Sequence, residues 1–367
     1  MTALPDPGVT RRGAQAVAAA LLLLVLAGCA SEPPPAWTRR PVPAAASAQH
    51  EAADRWPGAN GVIAGRHERL LVYVPGGGDT LEGIAARFYG SAADAWRIAE
   101  ANAAGWSPPS EGYPLVVPLV DTNPLGVDAE GAQLVPVLTY HRFGPRASKM
   151  TVTPAQFEAQ LQWLARERFS VVRLSDLGEF LAGRRALPGR SVVITVDDGY
   201  NSFHRYAFPL LLRYGVPATM FVYTDFVGAG DALSWAQLRE LAASGLVDVQ
   251  AHSKSHRNLA QREPGETDDA YLRSIEIELR APRAEIERRL ADEGVRVRQF
   301  AYPFGDANQA VLDTMRRLGY EIGATVDPGG NAFFAHPLML RRTMIFGDHD
   351  LDAFAARVAT RLPVTTP

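Results

Sequence analysis

From about Leu134 onward, short apolar runs alternate with amphipathic helical stretches, and this alternation constrains the fold more than any other feature of the chain. The strand candidates are LVPVLTY (134–140), SVVRL (170–174), SVVITV (191–196), ATMFVYT (218–224), LVDVQAH (246–252), VRQFAYP (297–303), YEIGATV (320–326) and MLRRTMI (339–345). Helical spacing predicts helices between them, such as Thr153 to Arg168 and Leu272 to Leu290. In the second of these, Leu272, Ile275, Leu279, Ile286 and Leu290 share one face, and Pro282 predicts a kink. Repeated strand–helix units imply a parallel sheet, and seven or eight of them predict an α/β fold curled into a distorted, closed or nearly closed barrel. In such a fold chemistry collects at the C-terminal ends of the strands.

Polar residues stand at several of those ends. SVVITV runs into Asp197 and Asp198, LVDVQAH into His252 and His256, VRQFAYP into a Pro-aromatic-Gly turn, and LVPVLTY into His141. Successive strand residues point to opposite faces, so two adjacent aspartates share a site only where the strand ends and the chain turns, here at Gly199. Two histidines four apart on a helical turn face the same way and offer two imidazoles to one metal, which a carboxylate completes to three ligands with an open position. Each piece alone is weak, because D-D-G is usually a turn and H-x-x-x-H is usually two surface histidines. Their occurrence together, each after a separate strand, is a much stronger signal.

TVDDG (195–199), HSKSH (252–256) and YPFG (302–305), with PVLTYH and LRRTMI at the first and last strands, resemble the NodB-type polysaccharide deacetylases, carbohydrate esterase family 4. PVLTYH and LRRTMI are similar to the first and last strands of the branch that includes exported poly-N-acetylglucosamine deacetylases. The resemblance spans roughly 134 to 346 and places a deacetylase domain over 130–362. It implies Asp197 as catalytic base, and Asp198, His252 and His256 as ligands of a divalent metal, zinc foremost. It also implies the Phe304 backbone N–H as an oxyanion donor, with Tyr302, Pro303 and Gly305 around the substrate. Two departures stand out. The arginine that family members carry just before the proline of the third motif is absent from FAYP, which leaves Arg342 to supply that charge. The C-terminal leucine–histidine motif is not clear either, so His141, His336 and His349 are candidates for the general acid, with His141 favoured because it ends a strand.

Ahead of this domain, residues 69–121 form a compact unit of order βααβ. The apolar strand Leu70 to Val74 leads to a helix start at Asp79 with Glu82 three residues later, a second helix follows around Trp96, and PLVVPL closes the unit. GDTL (78–81), IAARFYG (84–90), Asn102 and YPLVVP are similar to a LysM module, which implies binding to glycans rich in N-acetylglucosamine. The alternative is a module that only folds and spaces, with Phe88 and Trp96 as core.

The N-terminus has Arg11 and Arg12, an apolar run from Ala16 to Leu26 and then LAGC, the layout of an export signal over 1–29. The run is too short for a span, which needs about 20 apolar residues. Cys29 is the chain's only cysteine, and its placement resembles a bacterial lipobox. That predicts a lipid anchor on Cys29 and a position in the cell envelope facing the periplasm, at the outer rather than the inner membrane. Residues 30–68 are rich in Ala, Pro and Ser at their start and read as a linker reaching on the order of 30 Å.

Lys and Arg (37) nearly balance Asp and Glu (40), giving a formal charge of −3 and no basic field for nucleic acid. A neutral glycan suits this balance. Two other readings remain open. One is an inactive envelope lipoprotein that only grips glycan. The other is a glycosidase using Asp197 and Asp198, although such pairs flank a sugar bond about 5 to 9.5 Å apart and need no imidazole pair.

Overall fold

The computed structural model describes residues 56–102 and 107–363. The expected export signal, Cys29 and most of the expected linker lie outside them. Among the described residues no helix is long and apolar enough to cross a membrane.

The N-terminal module comprises β1 (Val62–Arg66), β2 (Leu70–Val74), α1 (Leu81–Tyr89), α2 (Ala95–Ala101) and β3 (Leu115–Pro118). Its three strands form an antiparallel sheet in the order β1-β2-β3. The order is therefore ββααβ, and β1 occupies a stretch expected to be linker. Every residue of β1 is exposed, so its sequence carries no buried face for periodicity to reveal. The cap of α1 also differs. Thr80 accepts the Gly83 N–H at 3.0 Å, while Asp79 turns inward and accepts from Asn60 N–H (2.5 Å), Gly61 N–H (3.0 Å), Gly76 N–H (2.9 Å) and the Tyr73 hydroxyl (2.7 Å). Asn102 bonds Ile98 O and Val116 O at 2.7 Å each and accepts Val116 N–H at 2.8 Å, stitching the end of α2 to β3. Leu71, Tyr73, Ile84, Ile98 and Val117 fill the core, with Phe88 packed edge-on against Tyr73.

The following domain contains β4 (Val127–Asp128), β5 (Gly131–Gln133), β6 (Val135–Tyr140), β7 (Arg142–Phe143), β8 (Thr151–Val152), α3 (Pro154–Arg166), β9 (Ser170–Val171), α4 (Leu174–Leu181), β10 (Ser191–Val196), α5 (Phe208–Tyr214) and β11 (Ala218–Val222). It continues with α6 (Trp235–Ala243), β12 (Val247–Ala251), α7 (Asp268–Arg289), β13 (Gln299–Ala301), α8 (Gln309–Leu318), β14 (Ile322–Ala324), β15 (Gly330–Asn331), β16 (Thr343–Met344), α9 (Leu351–Ala355) and β17 (Arg361–Pro363). The main sheet runs β14-β13-β12-β11-β10-β6, parallel throughout. β6 and β10 are buried at every residue, as strands covered on both faces must be.

One bent segment curls this sheet. Leu340 bonds both Gly323 O and Thr325 N–H at the end of β14, and three residues later β16 pairs with β6 through Thr343 and Met344. The segment thus touches both ends of the sheet. All eight expected strands occur, although SVVRL shortens to Ser170–Val171 and pairs only with β10. β15 pairs antiparallel with β6 and is two residues long, too short to leave a pattern. Leu272 is corrected. It is 47% exposed, because α7 starts at its Thr267 cap and buries Tyr271, Ile275, Leu279, Pro282 and Ile286 instead. The helix continues through Pro282.

Candidate active site

The strands β6, β10, β11, β12 and β13 lie side by side in the sheet, so the residues that follow them are drawn to one edge of it. Asp197 still follows the ladder, its N–H bonded to Tyr140 O at 2.9 Å. The turn begins one residue before the expected glycine, since Asp198 already has φ 73° and Gly199 follows with φ 80°. Five non-glycine residues among those described have left-handed backbone. Asp198, Ser253, His256 and Phe304 are four of them, all at this site, and each such position costs about 1 to 3 kcal/mol.

Asp198 Oδ1 lies 3.4 Å from His252 Nε2 and 3.3 Å from His256 Nε2. One ligand atom from each of the three residues falls within 4.8 Å of the others. His252 Nδ1 donates to Ala301 O at 2.7 Å, which leaves Nε2 as the free lone pair turned to the cluster. Asp198 Oδ1 is buried and has no hydrogen-bond partner. A buried carboxylate oxygen without a donor, facing two imidazole nitrogens, fits a divalent cation held by one oxygen and two nitrogens. The histidines do not share a helical turn, contrary to expectation. β12 ends at Ala251, and left-handed Ser253 and His256 fold the intervening loop, with the Ser253 hydroxyl accepting His256 N–H at 2.8 Å.

Asp197 and Arg342 form a bidentate pair, both bonds 2.7 Å, with Arg342 fully buried. Arg342 also donates from Nε to Thr325 O at 2.7 Å, so its plane is fixed from the end of β14. Burial alone would raise the Asp197 pKa, but the Arg342 guanidinium and His252 outweigh it and hold the carboxyl below its ordinary range. Asp198 is likewise held low, burial being outweighed by the imidazoles of His252 and His256 that face it. Burial pushes His252 down, but the two carboxylates pull it up overall. A cation in the cluster would reverse that last balance, since a ligating imidazole must be neutral.

His141 follows β6 directly and is half-buried. Burial lowers its pKa, and among the charges around it are Asp197, Asp198, Arg342 and His252. The other two acid candidates point elsewhere. His336 sits beside Arg316 at 3.3 Å, and His349 packs on Phe346.

The turn after β13 corrects the expectation for Tyr302 and Pro303. Both are buried, and the Tyr302 hydroxyl donates to Leu338 O at 2.7 Å, so neither side chain is free to meet a substrate. Gly305 has φ 82°, and a Cβ there would lie 2.4 Å from Val326 Cγ2, so the turn excludes a side chain. The exposed member is Phe304, whose ring stands edge-on to His256 at 5.0 Å. The turn's own hydrogen bonds, Gly305 N–H to Tyr302 O and Asp306 N–H to Pro303 O, leave the Phe304 N–H unused.

An aromatic rim beside the cluster escaped the sequence reading. Tyr223 packs against His256 (5.1 Å) and stacks on Phe226 (5.0 Å), and Phe226 meets Tyr200 edge-on. Arg142 lies over the Tyr200 ring at 3.5 Å and pairs with Asp231. Tyr200 directly follows Gly199 and Tyr223 follows β11, so position at a strand's C-terminal end was the signal available.

Residues 184–323 match the family model for polysaccharide deacetylase. The chain is 26% identical over 243 residues to the poly-β-1,6-N-acetyl-D-glucosamine N-deacetylase of Escherichia coli K12, covering 58% of this chain and 36% of that protein. A protein of the same name from Staphylococcus aureus MRSA252 is 25% identical over 202 residues, covering 52% of this chain and 68% of the other. The chain thus spans about a third of the length of the Escherichia coli relative. Among solved structures, IcaB from Ammonifex degensii aligns with TM-score 0.55 and 28% identity over 62% of this chain and 98% of that one. The deacetylase PplD of Streptococcus pyogenes, in complex with acetate, shares the fold with TM-score 0.55 at 22% identity, over 62% of this chain and 99% of the other. Over residues 184–323 the chain therefore resembles the polysaccharide deacetylase family, and its curled sheet is shared with these solved structures.

Proposed function

We propose that this protein is a metal-dependent hydrolase that removes the acetyl group from N-acetylglucosamine units of a cell-envelope or exported polysaccharide. The observation that carries this reading is the Asp198–His252–His256 cluster beside the arginine-clamped Asp197. Asp198, His252 and His256 would hold the cation, zinc by the donor set. A cation there supplies Lewis acidity toward the acetamide carbonyl and lowers the pKa of water.

The chain's own groups account for the rest. Asp197, ionised because Arg342 holds its pKa down, accepts the proton of the attacking water on a lone pair that the guanidinium leaves free. The unused Phe304 N–H donates to the developing oxyanion, a contribution of about 3 kcal/mol or more for a single donor. His141 protonates the departing amine. Tyr302, Pro303 and Gly305 serve by shaping the turn that presents that N–H.

The poly-β-1,6-N-acetyl-D-glucosamine deacetylases among the relatives favour an N-acetylglucosamine polymer as substrate, with peptidoglycan the other candidate. The LysM-like module would hold the same polymer, and a lipid on Cys29 would tether the enzyme in the envelope, facing the periplasm and at the outer membrane. An inactive glycan-gripping role is favoured by the missing arginine of the third motif and by the open identity of the general acid, and Arg342 at Asp197 answers the first of these. Mass spectrometry of candidate glycans after incubation tests the proposal. Loss of acetyl groups from one parent polymer supports it, whereas shortened chains or unchanged glycans contradict it.

A further inference from the structure

Glu278 is the one acidic residue on the buried face of α7, set between Ile275 and Pro282 and more than nine-tenths buried. An acid in an apolar stripe needs partners, because a buried carboxylate without donors is costly. Its partners all come from the loop between the two histidines. Glu278 Oε2 accepts Lys254 N–H and Ser255 N–H at 2.9 Å each, and Oε1 accepts the Ser255 hydroxyl at 2.7 Å. These are residues three and four of the five-residue segment His252–His256.

That segment is also the most strained part of the site, with left-handed backbone at both Ser253 (φ 72°) and His256 (φ 65°). His252 is fixed from the sheet through Ala301 O, but His256 is half-exposed and lies beyond the strand. Its inward turn depends on the Ser253 hydroxyl and on whatever pins Lys254 and Ser255. Lys254 offers nothing inward, as its ammonium is exposed and pairs with Asp225. Two backbone N–H groups and one hydroxyl of the loop therefore converge on a single carboxylate from a long helix.

We infer that Glu278 is a positioning residue that preorganises His256 for metal binding, touching neither cation nor substrate. The inference rests on the metal reading of the Asp198 cluster. Groups that orient metal ligands from behind typically change affinity by about 10- to 100-fold when removed. Glutamine at 278 can reproduce the network, its carbonyl oxygen accepting both N–H groups and its amide donating to the Ser255 hydroxyl. Aspartate cannot, since it keeps the charge but is one methylene shorter.

The test is zinc affinity of the full chain by competition with a chromophoric chelator, read together with the visible spectrum of the cobalt-substituted protein. Glu278→Ala and Glu278→Asp should weaken zinc about 10- to 100-fold and alter the cobalt bands, while Glu278→Gln should stay within about threefold of the parent. If the alanine variant does not fold, the aspartate and glutamine variants decide the question alone. Parental affinity and cobalt spectrum in Glu278→Asp would overturn the inference, even with a lowered melting temperature, because a purely structural role predicts that pattern. Loss in Glu278→Gln equal to that in Glu278→Asp would overturn it too. Failure of the parent chain to bind zinc or cobalt would sink the metal reading and this inference with it.

Discussion

Arg342 and Asp197, 145 residues apart in sequence, meet through two parallel 2.7 Å hydrogen bonds where neither side chain is exposed to solvent by more than 2%. The guanidinium holds the carboxyl low against burial, so the base is ionised below the ordinary carboxylate range. Replacing Arg342 by Met removes that hold, and the Asp197 pKa rises. The acid limb of kcat/KM should then move to higher pH by about one to three pH units, read from a pH–rate profile. Arg342→Lys should shift it in the same direction but less, because an ammonium cannot make the paired bonds. For stability the sign follows from a folded pKa lying below the unfolded one. The pair's contribution is present above the unfolded carboxyl value and is lost as pH falls through the folded one, so Arg342→Met should also flatten the acid side of the stability curve.

The two adjacent aspartates should not be interchangeable. Asp197→Asn should retain metal and lower acetate release by about 10²- to 10⁴-fold. It also leaves a buried guanidinium unpaired, and melting should report a loss of about 3 to 5 kcal/mol. Asp198→Asn should instead weaken zinc by at least about tenfold, measured by metal analysis after dialysis against a weak chelator.

His141 is the one acid candidate whose surrounding charges include both aspartates. His141→Asn should lower kcat by about 10²- to 10⁴-fold with zinc content unchanged. His336→Asn and His349→Asn should leave kcat near that of the parent.

In the N-terminal module, Asp79→Ala would strip partners from Asn60 N–H, Gly61 N–H, Gly76 N–H and the Tyr73 hydroxyl. Each donor left unpaired and buried costs about 1 to 3 kcal/mol. Hydrogen exchange should show faster opening across residues 62–74 and 115–118, while activity on short oligomers stays at the parental level.

What the sequence revealed follows the strength of its periodic signals. Most of the eight main strands were legible because they are apolar runs ending at a polar residue, and the polar ends marked Asp197, Asp198, His252, His256 and His141. β1 was invisible because all five of its residues are exposed. Asp79 read as a cap because caps and buried acceptors use the same residue types, and only the fold brings Asn60, Gly61 and Tyr73 around it. Tyr302 sits in a motif whose neighbours face the site, yet the strand alternation turns its ring into the core beside Met315 and Leu338. Glu278 lies 22 residues after His256, and nothing in local spacing joins a helical acid to a loop folded back over it.

A metal held by Asp198, His252 and His256 should make deacetylation depend on that metal. Acetate release from a β-1,6-linked N-acetylglucosamine oligomer, followed before chelation, after chelation and after zinc is restored, tests it most directly. Acetate release should stop on chelation and return with zinc, with the oligomer's chain length unchanged. Acetate release indifferent to chelation, or none from this oligomer or peptidoglycan fragments with zinc present, would contradict it.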